Sequence, residues 1–95
     1  MTTELLALAD RVEAERGFCN ELDVQCEVAL FEPDACELAI RPNAAGTKVI
    51  VTIAGGADRT FLARDFTISA RARADTAAKL RARAHASRVG DGRGE

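Results

Sequence analysis

The side chains that could carry out chemistry in this 95-residue chain are few and widely separated. His85 is the only histidine, and it lies late in a basic segment with no group placed to orient it as a base. Cys19 would act as a nucleophile only beside a base, and the sequence puts none next to it. Asp58 and Asp65 fit turn and capping roles better than the paired carboxylates of acid–base catalysis. We therefore expect no catalytic residues and a protein that is not an enzyme.

Motifs for metals and cofactors are not found either. The three cysteines (Cys19, Cys26 and Cys36) show no CxxC or Cys/His spacing, and Gly55-Gly56 lacks the Lys-Ser/Thr of a phosphate-binding loop. The odd number of cysteines favours free thiols in a reducing cytoplasm over a disulfide framework. The first residues do not resemble a signal peptide, and no apolar run is long enough to span a membrane. The sequence predicts a cytoplasmic protein without metal, cofactor or membrane partner.

Charge is distributed unevenly along the chain. Residues 1–40 hold ten acids and two bases, whereas residues 41–95 hold eleven bases and five acids, giving −2 overall. Either the two halves face each other and neutralise, or one charged surface meets a partner. For a partner surface we single out four acids: Asp10, Glu13, Asp23 and Glu27. Carboxylates presented from two helices would mimic a phosphate strand and occupy a basic groove on a nucleic-acid enzyme.

The basic C-terminal segment is the alternative interaction surface. Arg71, Asp75, Lys79 and Arg83 form an i, i+4 row on one helical face. Cations in this row could contact phosphates, so Arg71, Lys79 and Arg83 are the candidate nucleic-acid-binding residues. The alanine-rich segment offers neither an Asn/Gln set for reading bases nor aromatic rings for stacking. For both charged surfaces, a simple solvated face is the commoner explanation.

Hydrophobic spacing predicts the helices that would position these groups. Residues 4–16 carry an apolar stripe at helical spacing, and the stripe consists of Leu5, Leu8, Ala9 and Val12. Residues 21–31 are ambiguous, because Val24, Cys26 and Val28 also alternate as in a strand. We favour a helix that is buried on two sides. Ser69 caps a final helix that continues to about Ser87.

Three strands are expected between the helices. Alternation at 36–41, the β-branched run at 48–53 and a short apolar segment at 60–62 predict strands separated by turns. The fold class is then α+β, with two layers in which helices pack on a three-stranded antiparallel meander in the order α-α-β-β-β-α. Residues 1–88 form one domain, and residues 89–95 are expected to be a disordered tail. The predicted core consists of Leu5, Leu8, Val12, Leu22, Val28, Leu38, Ile40, Val49, Val51, Phe61, Phe66 and Leu80.

Several short strings, taken in order, carry a family resemblance. They are LLALADRVEA at 5–14, ELD at 21–23, VALF at 28–31, RPNAAGTK at 41–48, DFT at 65–67 and LRARA at 80–84. Over roughly residues 4–86 the chain resembles small phage and prophage proteins akin to those called phage ABA-sandwich proteins. The resemblance supports a helix at 21–31 and implies a bacterial host cell, but it supplies no activity and no catalytic residues.

Small size, the phage resemblance and the acidic surface together lead to a functional hypothesis. We expect a non-enzymatic, phage-derived protein that binds a host protein and inhibits a nucleic-acid-targeting defence machine, as anti-CRISPR proteins do. Its partner would then be a protein such as a CRISPR effector subunit. One alternative is a nucleic-acid-binding accessory protein that uses the basic C-terminal helix. Another is a small structural or assembly protein of the phage.

Overall fold

A computed structural model describes the backbone of residues 2–93 and the side chains of residues 2–86. Its elements are α1 (Thr2–Ala14), α2 (Asn20–Ala29), β1 (Glu37–Pro42), β2 (Val49–Ile53), β3 (Asp58–Phe61) and α3 (Ala70–Arg93). The strands form one sheet in the order β1-β2-β3, and both pairs of neighbours are antiparallel. The predicted α+β class and the predicted order of elements are confirmed.

Helix α1 packs along α3, and this is the most extensive contact between helices. The predicted stripe of α1 is buried, and it meets a stripe of α3 in a single cluster made of Leu5, Leu8, Ala9, Val12, Leu22, Cys26, Ala77, Leu80 and Ala84. Alanines at three of these positions let the two helix backbones approach closely, so the long side chain of Leu80 is fully enclosed.

Helix α2 is buried on two sides, as its ambiguous pattern predicted. Leu22 and Cys26 face the cluster of α1 and α3, whereas Val24 is buried outside that cluster. The same helix contacts β1 and β2, so it lies between the helical pair and the sheet. It begins after Cys19, whose carbonyl accepts the Asp23 N–H at 3.0 Å, and the Leu30 N–H bonds to the Cys26 carbonyl at its end.

The strand register divides the sheet into two faces. The inner face, towards α2, carries Ile40, Pro42, Val49, Val51, Arg59 and Phe61. The outer face carries Ala39, Arg41, Ile50, Thr52, Asp58 and Thr60. Val49 and Val51 are buried, but every residue of β3 is exposed. The ten residues of α2 contact β1 and β2 and leave β3 uncovered.

Two of the predicted core residues are exposed instead. Leu38 is 59% exposed because it lies at an irregularity between Glu37 and Ala39 that interrupts the alternation of β1. Phe61 is 47% exposed because no helix lies over β3. Val28, Ile40 and Phe66 are partly buried, and the other seven predicted residues are buried.

The final helix is longer than the sequence indicated. The Ser69 hydroxyl caps it, as predicted, by accepting the Ala72 N–H at 3.0 Å. The helix was expected to end near Ser87, and it continues to Arg93. Side chains from residue 87 onwards, and residues 94 and 95 entirely, fall outside the described residues. The prediction of a disordered tail at 89–95 therefore stays a prediction.

Candidate functional site

Asp10 and Glu13, two of the four acids predicted to bind a partner, are joined to α3 by one arginine. Arg81 Nη2 lies 2.8 Å from Asp10 Oδ1 and 2.9 Å from Glu13 Oε1. Its Nη1 donates to Glu13 Oε2 at 3.0 Å. These hydrogen bonds and the positive charge lower the pKa of Glu13 and raise that of Arg81. Both carboxylates remain open to solvent, but their charge is partly compensated within the fold.

Asp23, the third of these acids, is fully buried. Its Oδ1 accepts the backbone N–H and the hydroxyl of Thr67, both at 2.9 Å. No described group bonds to its Oδ2. Burial raises the pKa of Asp23, and the hydrogen bonds from Thr67 oppose this effect. The prediction that Asp23 lies on a partner-binding face is wrong, because two-sided burial of α2 leaves its carboxylate without access to solvent.

Glu27, the fourth acid, holds the segment after β3. Its Oε1 accepts the Arg64 backbone N–H at 3.1 Å and Nε at 3.2 Å, while Oε2 lies 2.7 Å from Arg64 Nη2. Burial would raise the pKa of Glu27, but the hydrogen bonds and charge of Arg64 outweigh it and lower the pKa. The Arg64 guanidinium also lies over the Phe66 ring, 5.4 Å from its centroid. The four predicted acids thus do not form one surface.

The basic candidates on α3 are also divided. Arg71 and Lys79 are exposed, and no described residue pairs with them. Arg83 is half-buried, because its Nη2 donates to the Phe31 carbonyl at 3.1 Å and its Nη1 lies 3.6 Å from Glu32 Oε2. Arg83 thereby holds the chain that leaves α2. The predicted row of phosphate contacts is reduced to two free cations.

The groups considered for chemistry have ordinary surroundings. Burial raises the pKa of the Cys26 thiol to about 12, so this sulfur stays protonated. Asp58 lies on the outer face of the sheet, where it bonds to Arg41 at 2.9 Å and to the Thr52 hydroxyl at 3.0 Å. His85 is exposed. Within residues 2–86, no three His, Cys, Asp or Glu side chains are grouped so that they could hold a metal ion.

A groove between the inner face of the sheet and the end of α2 is the surface that the sequence did not indicate. Its volume is about 470 Å³. The apolar wall comprises Leu30, Phe31, Ile40, Val49, Val51, Phe61 and Leu62. Glu32 and Glu37 lie at the groove, together with the Glu27–Arg64 pair. We call this surface the acidic-rimmed groove.

The groove exists because the sheet is wider than the helix that covers it. Phe61 and Leu62 are 47% and 74% exposed although both are large and apolar. Large contiguous patches of exposed apolar side chains often mark sites of protein–protein interaction. The signal in the sequence was the short apolar segment at 60–62, which includes the end of the last strand in a chain that has only one short helix to cover the sheet.

Comparisons with other proteins add no identification, since no protein-family model, curated protein or solved structure matches the chain. No helix in the described part of the chain combines the length and apolar character needed to cross a membrane. The geometry of the acidic-rimmed groove is therefore the basis for a functional assignment.

Proposed function

We propose that this chain acts by binding another protein through its acidic-rimmed groove. The observation that carries the proposal is the exposure of Phe61 and Leu62 beside the apolar inner face of the sheet. Burying such side chains against a partner yields roughly 25 cal/mol for each Å² of apolar surface removed from water. A protein segment that brings its own apolar side chains would fill the groove.

The rim specifies the charge of that segment. Glu32 is 84% exposed, and its contact with Arg83 is long at 3.6 Å. The Glu37 carboxylate has no partner among residues 2–86, and the charge of Glu27 is compensated by Arg64. The groove therefore presents two acids that Lys or Arg side chains of a partner would complement, which raises the association rate and favours basic surfaces.

A basic surface with nearby apolar groups is typical of proteins that handle nucleic acids. Together with the resemblance to phage proteins, this supports a host protein of that class as the partner, in the cytoplasm of the bacterial cell. The most concrete form of the proposal is an inhibitor of a nucleic-acid-targeting defence machine, such as a CRISPR effector subunit. The chain would occupy the surface that the nucleic acid needs.

Retention of host proteins on the immobilised chain tests the proposal. Binding is measured at about 0.05 M and about 0.15 M salt, because charge attraction weakens with screening, and the retained protein is identified. We expect the Leu62→Asp variant and the double variant Glu32→Lys/Glu37→Lys to lose binding of the retained protein. Asp75→Lys, an exposed acid of α3 that does not line the groove, is the matched control and should retain it. Loss in Asp10→Lys/Glu13→Lys but not in the groove variants would contradict the proposal.

Nucleic-acid binding through α3 is the second candidate, supported by the two free cations Arg71 and Lys79. A gel shift with single- and double-stranded DNA and RNA at about 0.05 M salt is the direct measurement. A shift that is lost in Arg71→Glu/Lys79→Glu and kept in the groove variants would favour this candidate over the groove. The logarithm of the binding constant for the nucleic acid should fall linearly with the logarithm of salt concentration.

A further inference from the structure

The outer edge of β3 carries backbone groups that no described residue uses. The Ile53 N–H bonds to the Ala57 carbonyl at 2.7 Å, which makes these two residues a hydrogen-bonded pair in the register of β2 and β3. Hydrogen-bonded and non-bonded pairs alternate along an antiparallel ladder. Arg59 and Phe61 therefore bond to β2, while the N–H and C=O groups of Asp58 and Thr60 point away from the sheet.

The opposite edge of the sheet, formed by β1, is protected from pairing with another strand. The Asn43 N–H bonds to the Lys48 carbonyl at 3.0 Å, so the outward positions of β1 are Ile40 and Pro42. Proline has no N–H to offer, and the irregularity between Glu37 and Ala39 distorts the rest of this edge. Proline and bulges are devices that prevent pairing at an edge. Strand β3 has neither of these two devices, so its edge is the more open of the two to pairing.

We propose that two copies of this chain pair antiparallel through their β3 edges. Thr60 lies opposite Thr60 of the second copy, where each N–H bonds to the carbonyl of the other. Asp58 then lies opposite Leu62 of the second copy as the next hydrogen-bonded pair. The two three-stranded sheets become one continuous sheet, and each outward donor of β3 obtains an acceptor.

Side-chain complementarity selects this register. Arg59 and Phe61 are both on the inner face and would lie opposite each other in the non-bonded pairs, where side chains are closest. A guanidinium beside an aromatic ring is favourable. If the second copy is shifted by two residues in one direction, Arg59 lies opposite Arg59 of that copy, and the two like charges repel. A shift in the other direction moves most pairs beyond Phe61, where β3 ends.

Pairing in this register also has a consequence for the groove. The two-fold axis stands perpendicular to the sheet, so the inner faces of both copies lie on the same side. The two acidic-rimmed grooves then meet at Phe61 and form one longer surface. This pairing does not depend on the proposed function, because a partner in the groove would contact the inner face and not the backbone edge.

Sedimentation equilibrium of the full chain from ~1 µM to ~0.1 mM tests the pairing. Thr60→Pro removes one outward N–H and leaves the bonds of Arg59 and Phe61 to β2 intact, so we expect at least a tenfold weaker dimer. Thr60→Val keeps the N–H and the branched side chain, and it should dimerise like the natural chain. Circular dichroism verifies that each variant is folded.

The Arg59→Glu variant provides a second test of the pairing if the Thr60→Pro variant does not fold. It leaves the backbone unchanged but places a carboxylate against the electron-rich ring of Phe61, so the dimer should again weaken. A natural chain that stays monomeric at ~0.1 mM overturns the pairing. So does a folded Thr60→Pro or Arg59→Glu variant that dimerises as strongly as the natural chain. Glu32→Lys/Glu37→Lys should leave the dimer unchanged, which separates this test from that of the proposed function.

Discussion

At the scale of single residues, the link between Asp23 and Thr67 joins α2 to the segment that precedes α3. The Thr67 hydroxyl accepts the Cys19 N–H at 2.8 Å and lies 2.9 Å from Asp23 Oδ1, to which it donates. Both residues are fully buried. A buried hydrogen-bonding group that loses its partner carries the full cost of its lost hydration. The hydroxyl of Thr67 therefore satisfies two groups at once, the buried carboxylate of Asp23 and the N–H of the half-buried Cys19.

Replacing Thr67 with valine keeps the shape of the side chain and removes its hydroxyl. The Cys19 N–H then loses its acceptor, and the Asp23 carboxylate loses one of its donors. The free energy of unfolding should therefore fall by about 1–3 kcal/mol. Urea denaturation measures this change. Thr60→Val, studied at a concentration where the chain is monomeric, is the matched control because Thr60 is exposed, and it should alter stability by no more than about 0.5 kcal/mol. Equal effects of the two changes would contradict the role of Thr67.

The buried carboxylate of Asp23 gives stability a pH dependence of unusual sign. Because its pKa is raised in the folded state, the folded chain binds more protons than the unfolded chain between the two pKa values. The stabilising contribution of Asp23 is therefore complete below about pH 4 and is lost as the pH rises through the folded pKa. Glu13, Glu27 and Asp58 have lowered pKa values and act in the opposite sense.

Asp23→Asn isolates this contribution from those of the other acids. The amide does not titrate, so the stability of the variant relative to the natural chain should increase as the pH rises from about 4 through the folded pKa of Asp23. Denaturant unfolding of both chains at several pH values in this window measures the difference. A relative stability that is constant, or that decreases with pH, would show that the pKa of Asp23 is not raised in the folded chain.

At the scale of elements, the sequence predicted most clearly the elements that are buried on one side only. The stripe of α1 indicated both the helix and its buried face, since polar and apolar positions separate cleanly there. Helix α2 was ambiguous because packing on the helical pair and on the sheet requires apolar residues on both sides, which obscures helical periodicity. The exposure of Phe61 could not be predicted, because it depends on how far α2 extends across the sheet.

Truncating one core residue and one groove residue tests this distinction between elements. Leu80 is fully buried between α1 and α3, so Leu80→Ala should cost about 2–5 kcal/mol of unfolding free energy. Phe61 is 47% exposed, so Phe61→Ala in the monomer should cost clearly less, about 1 kcal/mol. Thermal or urea denaturation of both variants provides the comparison. A larger cost for Phe61 would mean that a buried surface covers β3.

The two halves of the sequence suggested an acidic face and a basic face, but several of their charges meet in the fold. Arg81 pairs with Asp10 and Glu13, Arg64 pairs with Glu27, and Arg83 approaches Glu32. Each of these contacts joins an acid of the first half to a base of the second. The first of the two interpretations of the charge asymmetry, mutual neutralisation, therefore holds for four of the ten acids of residues 1–40: Asp10, Glu13, Glu27 and Glu32. At the groove, the acids left for a partner are Glu37, which has no partner among residues 2–86, and Glu32, whose contact with Arg83 is long at 3.6 Å.

At the scale of the whole molecule, the fold is a thin slab that extends 42 × 36 × 19 Å. A chain of this size buries a smaller fraction of its unfolded surface than a larger domain does, so added contacts matter more to its stability. Pairing of β3 edges would stabilise the folded chain by mass action, since unfolding must also separate the copies. Above the dissociation constant of the dimer, each tenfold rise in concentration adds about 1.4 kcal/mol per dimer.

The melting temperature of the natural chain and of Thr60→Val should therefore rise with concentration. Thr60→Pro should melt at a temperature independent of concentration over the same range, and a parallel rise in this variant would show that the copies associate through a different surface.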